Sequence, residues 1–478
     1  MSHRLSDEMI DARLIAYLDG RAEEGAARAR TPEQVAAEIA ARLRPRYRVG
    51  PDAARVRRLV WLVALVALLL ALLTSMLAGG RLPPLSPPRV VRIAIELPLG
   101  GSDQGAAAIA NGIKLAVSDA SGQAGRFQIE IPESAILSDI FDGLPDPDQG
   151  AGNMRHIVGD PDVVAVIGPF NSSVAQKQIP ISNAAGLLQC SPATTDPQLT
   201  RTPDGGIQPA GSPAAGRVNY VRVVTTDDVA AAGAARYLFE RLGKTSVSVI
   251  DDNQGYGTAM ADWFGAEFAR LGGSVVSRES LPDSAAALSA MLASARAKRP
   301  QAIYFGGTGG RGATLLRAAM LAGLGDIPFV GTDALNDGRA ARPGSFLSLA
   351  GDGARHAYSV FPGLADGPDK ATFEAGYRAR YGVTPTPFAA AGYACAQVVI
   401  AALLQVEASP PADATGLRDS VRAAGVNTDA TFETILGPIA FDARGDVTPR
   451  RVTIYTSDAA ARDWVRSDQI DAAAGFGR

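Results

Sequence analysis

Residues 162–200 read DVVAVIGPFNSSVAQKQIPISNAAGLLQCSPATTDPQLT. The unbroken apolar run Val163–Ile167 is the pattern of a strand covered on both faces, because a strand with one wet face would alternate. It breaks at Gly168-Pro169. Ser172 and Ser173 follow where the N-cap of the next helix is expected, since a short hydroxyl there satisfies backbone N–H groups that the first turn leaves unpaired. A helical pattern runs to about Ala185, and a second short strand, expected at Leu187–Cys190, ends in Ser191-Pro192-Ala193-Thr194-Thr195. Two adjacent parallel strands thus carry N–H and O–H donors to the carboxyl edge of one sheet, where open α/β sheets bind ligands. The matching guest is a small anion such as a carboxylate, held by neutral donors and a helix N-terminus.

Outward from this segment the same strand-then-helix alternation continues. Strands are expected at Val90–Leu97, Phe127–Ile131, Val218–Val224, Ser246–Asp251, Ser274–Ser277, Ala302–Phe305 and Phe329–Gly331, each followed by a helical pattern. A repeat of roughly 25 to 30 residues is that of βα units building parallel sheets. The chain of 478 residues with 47% hydrophobic residues is long enough for two cores, and nine or more such strands suit two Rossmann-like lobes better than one sheet. The fold class is therefore α/β.

Composition excludes several functions. A net charge of −3 gives no basis for nucleic acid as a partner. The three histidines, His3, His156 and His356, are scattered, so neither a metal site nor a histidine-based triad is expected. Cys190 and Cys395 read as two small buried hydrophobes.

The first 89 residues of the chain have a different character. Residues 1–58 read as a solvated helical tail, and Leu59–Gly80 is a run of 22 residues without a formal charge, long enough to span a bilayer. Arg44, Arg46, Arg48, Arg55, Arg57 and Arg58 crowd its N-terminal side, which places the tail in the cytoplasm and everything after Gly80 outside. Residues 81–89 begin with RLPPLSPP, a stiff proline-rich spacer. The expectation is a single-pass inner-membrane protein whose residues 90–478 form the two-lobed domain.

A spaced series of landmarks carries a resemblance: VIGPFNSS from Val166, SPATTDPQLT from Ser191, IDDNQGYGTAMA from Ile250, IYFGGTGGRGATLLRAA from Ile303, GYACAQVVIAAL from Gly392 and LGPIAFDARGD from Leu436. Their shared order, over roughly Val90 to Trp464, resembles the type I periplasmic binding proteins, specifically the branched-chain amino acid (Leu/Ile/Val) receptors of ABC importers. The resemblance implies two lobes joined by three hinge crossings, lobe 1 taking about 90–224 and 335–445 and lobe 2 about 227–332 and 446–478. It implies that Ser172 with Ser173, Ala193 and Thr195 bind a ligand carboxylate, that Tyr256 closes on the ligand from lobe 2, and that Asp227 sits at a lobe crossing. It further implies reversible binding without catalysis or cofactor, and an ABC permease as partner.

Two departures shape the ligand expected. Near the position of Arg311, amino acid receptors carry an acidic residue that meets an α-ammonium group, and relatives place an aromatic residue near Gly105, where this chain reads DQGAAA. Asp333 remains as an acid able to serve an amine. The reversed charge favours a small organic anion without an amine, or a dianion, over a simple amino acid. The same loop contains Gly307-x-Gly309-x-x-Gly312 with Asp333 beyond it, a dinucleotide fingerprint in letters but set far from the first βαβ unit and outside the cell. No Gly-Lys-Ser/Thr follows it and no Gly-x-Ser-x-Gly elbow occurs. The alternative to a transport receptor is a ligand sensor that signals through its cytoplasmic tail or a membrane partner.

Overall fold

The computed structural model describes residues 88–100, 105–201, 217–363, 367, 369–458 and 462–472. The expected tail, membrane span and nearly all of the proline-rich spacer lie outside the described residues.

Lobe 1 begins with β1 (Arg89–Leu97), α1 (Gly105–Asp119), β2 (Gln123–Ala124), β3 (Phe127–Glu130) and β4 (Ile136–Ser138), then a small hairpin of β5 (Ile140–Phe141) and β6 (Leu144–Pro145). It continues through α2 (Pro147–Gly159), β7 (Val163–Ile167), α3 (Ser172–Ala184), β8 (Leu188–Ser191) and β9 (Tyr220–Arg222). The sheet order is β2-β3-β1-β7-β8-β9 with β4 beside β1, and β3, β1, β7, β8 and β9 run parallel. All five residues of β7 are buried, as their uninterrupted apolar run requires. α3 begins at Ser172, so the cap position falls on Asn171, whose side chain makes no capping bond.

Lobe 2 is built from α4 (Asp227–Arg236), β10 (Ser246–Asp251), α5 (Gly255–Arg270), β11 (Ser274–Ser280), α6 (Ala285–Ala297), β12 (Ala302–Gly306), α7 (Gly309–Leu321), β13 (Phe329–Thr332), α8 (Phe346–Ala350) and β14 (Ala357–Phe361). The chain then returns to lobe 1 with α9 (Lys370–Tyr381), α10 (Pro387–Val406), α11 (Ala414–Gly425), β15 (Phe432–Thr434), β16 (Gly437–Phe441) and β17 (Val447–Thr448), and ends in lobe 2 with β18 (Arg451–Asp458) and β19 (Asp463–Asp471). The second sheet has the order β11-β10-β12-β13-β14-β18-β19, parallel through β14 and antiparallel at its last two strands. The return to lobe 1 comes after Phe361 rather than near residue 335, because β14 pairs with β13 in register and keeps that segment in lobe 2.

α10 is long and apolar enough to cross a membrane, yet most of it is buried in lobe 1, where it is the core helix rather than a span. Its closest neighbour is α1. A Cβ on Gly112 of α1 would lie 2.0 Å from the Ala389 carbonyl oxygen, and one on Gly392 of α10 2.5 Å from that of Ile109. Both positions need glycine so that the two backbones can touch.

The cysteines correct an expectation. Cys190 at the end of β8 and Cys395 in α10 are joined by a disulfide, their Cα atoms 5.8 Å apart. Both are fully buried where α10 crosses the lobe 1 sheet, a juxtaposition that a separation of 205 residues hides from the sequence. Such bonds persist in oxidising compartments.

The chain passes between the lobes at about 223–226, after Phe361 and at about 442–450, and buried charge ties the first of these to the last. The Arg222 Nε donates to Asp446 Oδ1 at 2.8 Å, and its other nitrogens reach Thr200 Oγ1 at 2.6 Å and the Asp196 carbonyl at 2.8 Å. Arg201 forks onto both Asp228 oxygens at 2.9 Å and onto Thr226 Oγ1 at 2.7 Å. Thr225 N–H donates to the Pro362 carbonyl at 2.8 Å, joining the first crossing to the second.

Candidate functional site

At the carboxyl edge of the lobe 1 sheet, the loops after β7 and β8 meet. The Asp196 N–H donates to Ser172 Oγ at 3.3 Å, so the Ser172 hydroxyl faces the loop after β8 instead of capping its own helix. Ser173, next to it, is exposed. The loop after β8 is held by Ser191, whose Oγ accepts from Thr194 N–H at 3.0 Å and more weakly from Ala193 N–H at 3.3 Å. Ala193 and Thr195 are half-buried at the rim. Thr195 also binds the hinge: its carbonyl accepts from Asp227 N–H at 2.9 Å, and its hydroxyl reaches the Asp227 carboxylate.

Asp227 opens α4, where a carboxylate is favoured by the helix dipole. Burial nevertheless pushes its pKa up to about 7, helped by the negative charge of Asp333 and opposed by the Thr195 hydrogen bond. Asp333 follows β13 directly, and its Oδ1 accepts from the Tyr256 hydroxyl at 2.8 Å. Burial first, then Asp333 and Asp227, hold the Tyr256 hydroxyl well above the ordinary tyrosine range. Tyr304, stacked on Phe264 with ring centroids 3.8 Å apart, is raised by burial and by the same two acids. Its hydroxyl has no hydrogen-bond partner among the described residues. Asp227, Asp333, Tyr256 and Tyr304 therefore form one electrostatically coupled group, adjoining the donor loop through Thr195.

Arg311 is not part of that group. Its Nη1 lies 3.3 Å from Asp283 Oδ1 and its Nη2 donates to the Leu281 carbonyl at 3.1 Å, which holds it to the loop after the edge strand β11. The preference for a dianion therefore loses the support it drew from Arg311, while the loop after β8 borders both the buried Asp227 and the Arg222 guanidinium, which donates to the Asp196 carbonyl at 2.8 Å. The dinucleotide letters are also accounted for by packing. A Cβ on Gly307 would strike Asp252 at 2.7 Å, and one on Gly309 would strike Asp337 at 2.6 Å. Asp333 is turned to Tyr256.

Sequence reasoning missed Tyr304, which is hidden inside an ordinary strand pattern, and the aromatic pair Phe170 and Phe388. These rings have centroids 5.3 Å apart and are half-buried, Phe170 standing two residues before Ser172. Phe388 packs edge-on to Phe361 at the second crossing, with centroids 5.2 Å apart. The signal for Phe170 was its place between the Gly-Pro break and the serine pair.

Two lobes of parallel sheet, three crossings and a polar site at the sheet edges define a hinged solute receptor. The chain belongs to the periplasmic binding protein family, whose model matches residues 90–462. A Leu/Ile/Val-binding protein, BraC3, of Rhizobium johnstonii is 25% identical over 362 residues, covering 73% of this chain and 87% of that protein. The fold matches the crystal structure of a leucine binding protein from Thermotoga maritima with a TM-score of 0.62 at 22% identity, over 80% of this chain and 99% of that one. It also matches a solute binding protein of an ABC transporter from Rhodopseudomonas palustris, solved with 3,4-dihydroxybenzoic acid, with a TM-score of 0.61 at 19% identity, over 80% and 98% of the two chains.

Proposed function

We propose that this chain is an extracytoplasmic receptor for an α-amino acid, feeding an ABC-type importer and held at the membrane by residues 59–80. The Ser172 hydroxyl and the Ala193 N–H, in the loop that Thr195 ties to Asp227, hold the ligand carboxylate, Ser173 standing at the rim, and the Asp227–Asp333 pair takes the ammonium. Tyr256 closes the lobe 2 side, and Phe170 offers an apolar wall for the side chain.

The observation that carries this reading is the double role of Thr195. One residue contributes to the anion loop and is bonded through its carbonyl to the N–H of a buried acid, so opposite charges only an α-carbon apart can be met together. The relatives point the same way, since BraC3 is named for leucine, isoleucine and valine. The same fold in the Rhodopseudomonas protein holds a carboxylate without an amine, which supplies the competing ligand class. The disulfide supports an oxidising compartment for this domain.

Calorimetric titration of the full chain in detergent with leucine, its deaminated keto acid and 3,4-dihydroxybenzoate tests the reading. Tight binding of the amino acid with much weaker binding of the keto acid is expected. Equal or better binding of the two acids lacking an amine would overturn it.

A further inference from the structure

The last three residues of β8 grip the loop that carries Ser172. Gln189 Nε2 donates to the Gly168 carbonyl at 3.3 Å, the Cys190 carbonyl accepts from Gly168 N–H at 2.9 Å, and Ser191 Oγ donates to the Pro169 carbonyl at 3.0 Å. The same Ser191 hydroxyl orders the loop after β8 by accepting from Thr194 N–H at 3.0 Å. Side chains alternate along a strand, so Cys190 points to the face opposite Gln189 and Ser191. There it is bonded to Cys395 of α10. Both loops of the solute site are therefore held by one triplet whose middle side chain is fastened to a helix.

α10 has a second hold on the site. Phe388 precedes Cys395 by seven residues, which is two turns, so the two side chains share a face of the helix about 10 Å apart along its axis. The Phe388 ring meets Phe170 of the Ser172 loop on one side and Phe361, at the end of β14, on the other. α10 thus touches the solute loop and a lobe crossing through its first turn, and is pinned to β8 two turns further on.

We propose that the Cys190–Cys395 bond is a positioning element of the solute site, fixing α10 against the end of β8 and thereby holding the Ser172 and Ala193 loops in their donor geometry. Its effect on affinity rests on the solute-receptor reading above, whereas its effect on the loops does not. A crosslink that acts only on the unfolded chain raises stability and leaves the native loops as they are. A positioning bond does more: without it, the N–H groups of Gly168, Thr194 and Asp196, which close these loops on each other, open locally more often.

The test compares three full chains in detergent, far below their melting points: the wild type, Cys190→Ala/Cys395→Ala, and Leu292→Ala. Leu292 is fully buried in α6 of lobe 2, so its loss lowers stability at a distance from the loops. Amide hydrogen exchange, read by mass spectrometry without solute, comes first. Roughly tenfold faster exchange is expected over residues 168–173 and 191–196 in the cysteine variant, with β10–β13 unchanged. Titration with leucine is then expected to give a Kd roughly tenfold weaker. Leu292→Ala is expected to melt lower while keeping wild-type exchange in both loops and the wild-type Kd. A third chain, Cys190→Val/Cys395→Ala, restores part of the lost volume; it is expected to behave like the double alanine variant, and it replaces that variant if the latter fails to fold. Unchanged loop exchange in a bond-free variant that melts lower overturns the proposal. So does equal loosening in Leu292→Ala, because exchange then follows stability alone, and so does wild-type exchange in the valine variant, because a cavity was then the cause. A wild type that binds no leucine overturns the amino acid reading instead, and loop exchange still decides the role of the bond.

Discussion

Ser172 shows how little of a binding role can be read from spacing alone. The sequence puts a hydroxyl at the start of a helix, and the first use for it is a cap. In the structure Asn171 takes the cap position, and the Ser172 hydroxyl turns across to the loop after β8. Removing that hydroxyl in Ser172→Ala is expected to cost the contribution of a hydrogen bond to a charged group, about 1.5–3 kcal/mol, or roughly ten- to a hundredfold in Kd for an amino acid. The same change is expected to leave the melting point of the unliganded protein nearly unmoved, and titration beside thermal melts separates the two effects. Asp227 makes a prediction in pH. Its folded-state pKa of about 7 is above that of an unfolded aspartate, so the empty protein gains stability from holding this proton and loses it as pH rises through 7. An ammonium ligand wants the ionised form, so amino acid affinity is expected to increase from pH 6 to pH 8, with protons released on binding. Titrations in two buffers of different ionisation enthalpy would reveal that release, and a pH-independent affinity would remove Asp227 from the site.

Elements were more legible than side chains. The five consecutive apolar residues of β7 announced a doubly covered strand, and β8 came within one residue of its expected place. The βα period revealed two lobes for the same reason: it comes from local geometry, and the sequence is read locally. What stayed hidden was set by distant partners. β14 carries no mark of its lobe, since its membership is decided by pairing with β13. Arg311 is held instead by Asp283 and the Leu281 carbonyl in the loop after β11, partners that its own stretch of sequence does not reveal. Two predictions belong to this scale. Gly112→Ala improves intrinsic helix propensity by about 1 kcal/mol, yet it is expected to lower the melting point because the new methyl meets the α10 backbone rather than a movable side chain. Reducing the Cys190–Cys395 bond, or replacing Cys395 with alanine, is expected to cost about 2–5 kcal/mol, visible as a lower melting point under reductant.

The whole molecule hinges on ion pairs shut away from water. Burial raises the pKa of Asp446, but the charge of Arg222 and its hydrogen bonds to Arg222 and Thr200 outweigh that, leaving it below the ordinary carboxylate range. The stability it contributes is therefore complete above the unfolded pKa near 3.9 and is lost as pH falls through the lower folded value. Asp446→Asn leaves the fully buried Arg222 without its counter-charge and is expected to destabilise by about 3–5 kcal/mol, whereas replacing both with apolar residues of similar volume should cost far less. Melts of the single and double variants distinguish a structural lock from a mere contact. The disulfide has a consequence of another kind. Every strand of lobe 2 from β10 to β14 lies inside the loop that Cys190 and Cys395 close. A protease that nicks the chain once, anywhere between residues 190 and 395, severs the polypeptide without releasing a fragment. The receptor is thus a clipped ring with two tails, and on a non-reducing gel a single cut inside the ring leaves one piece.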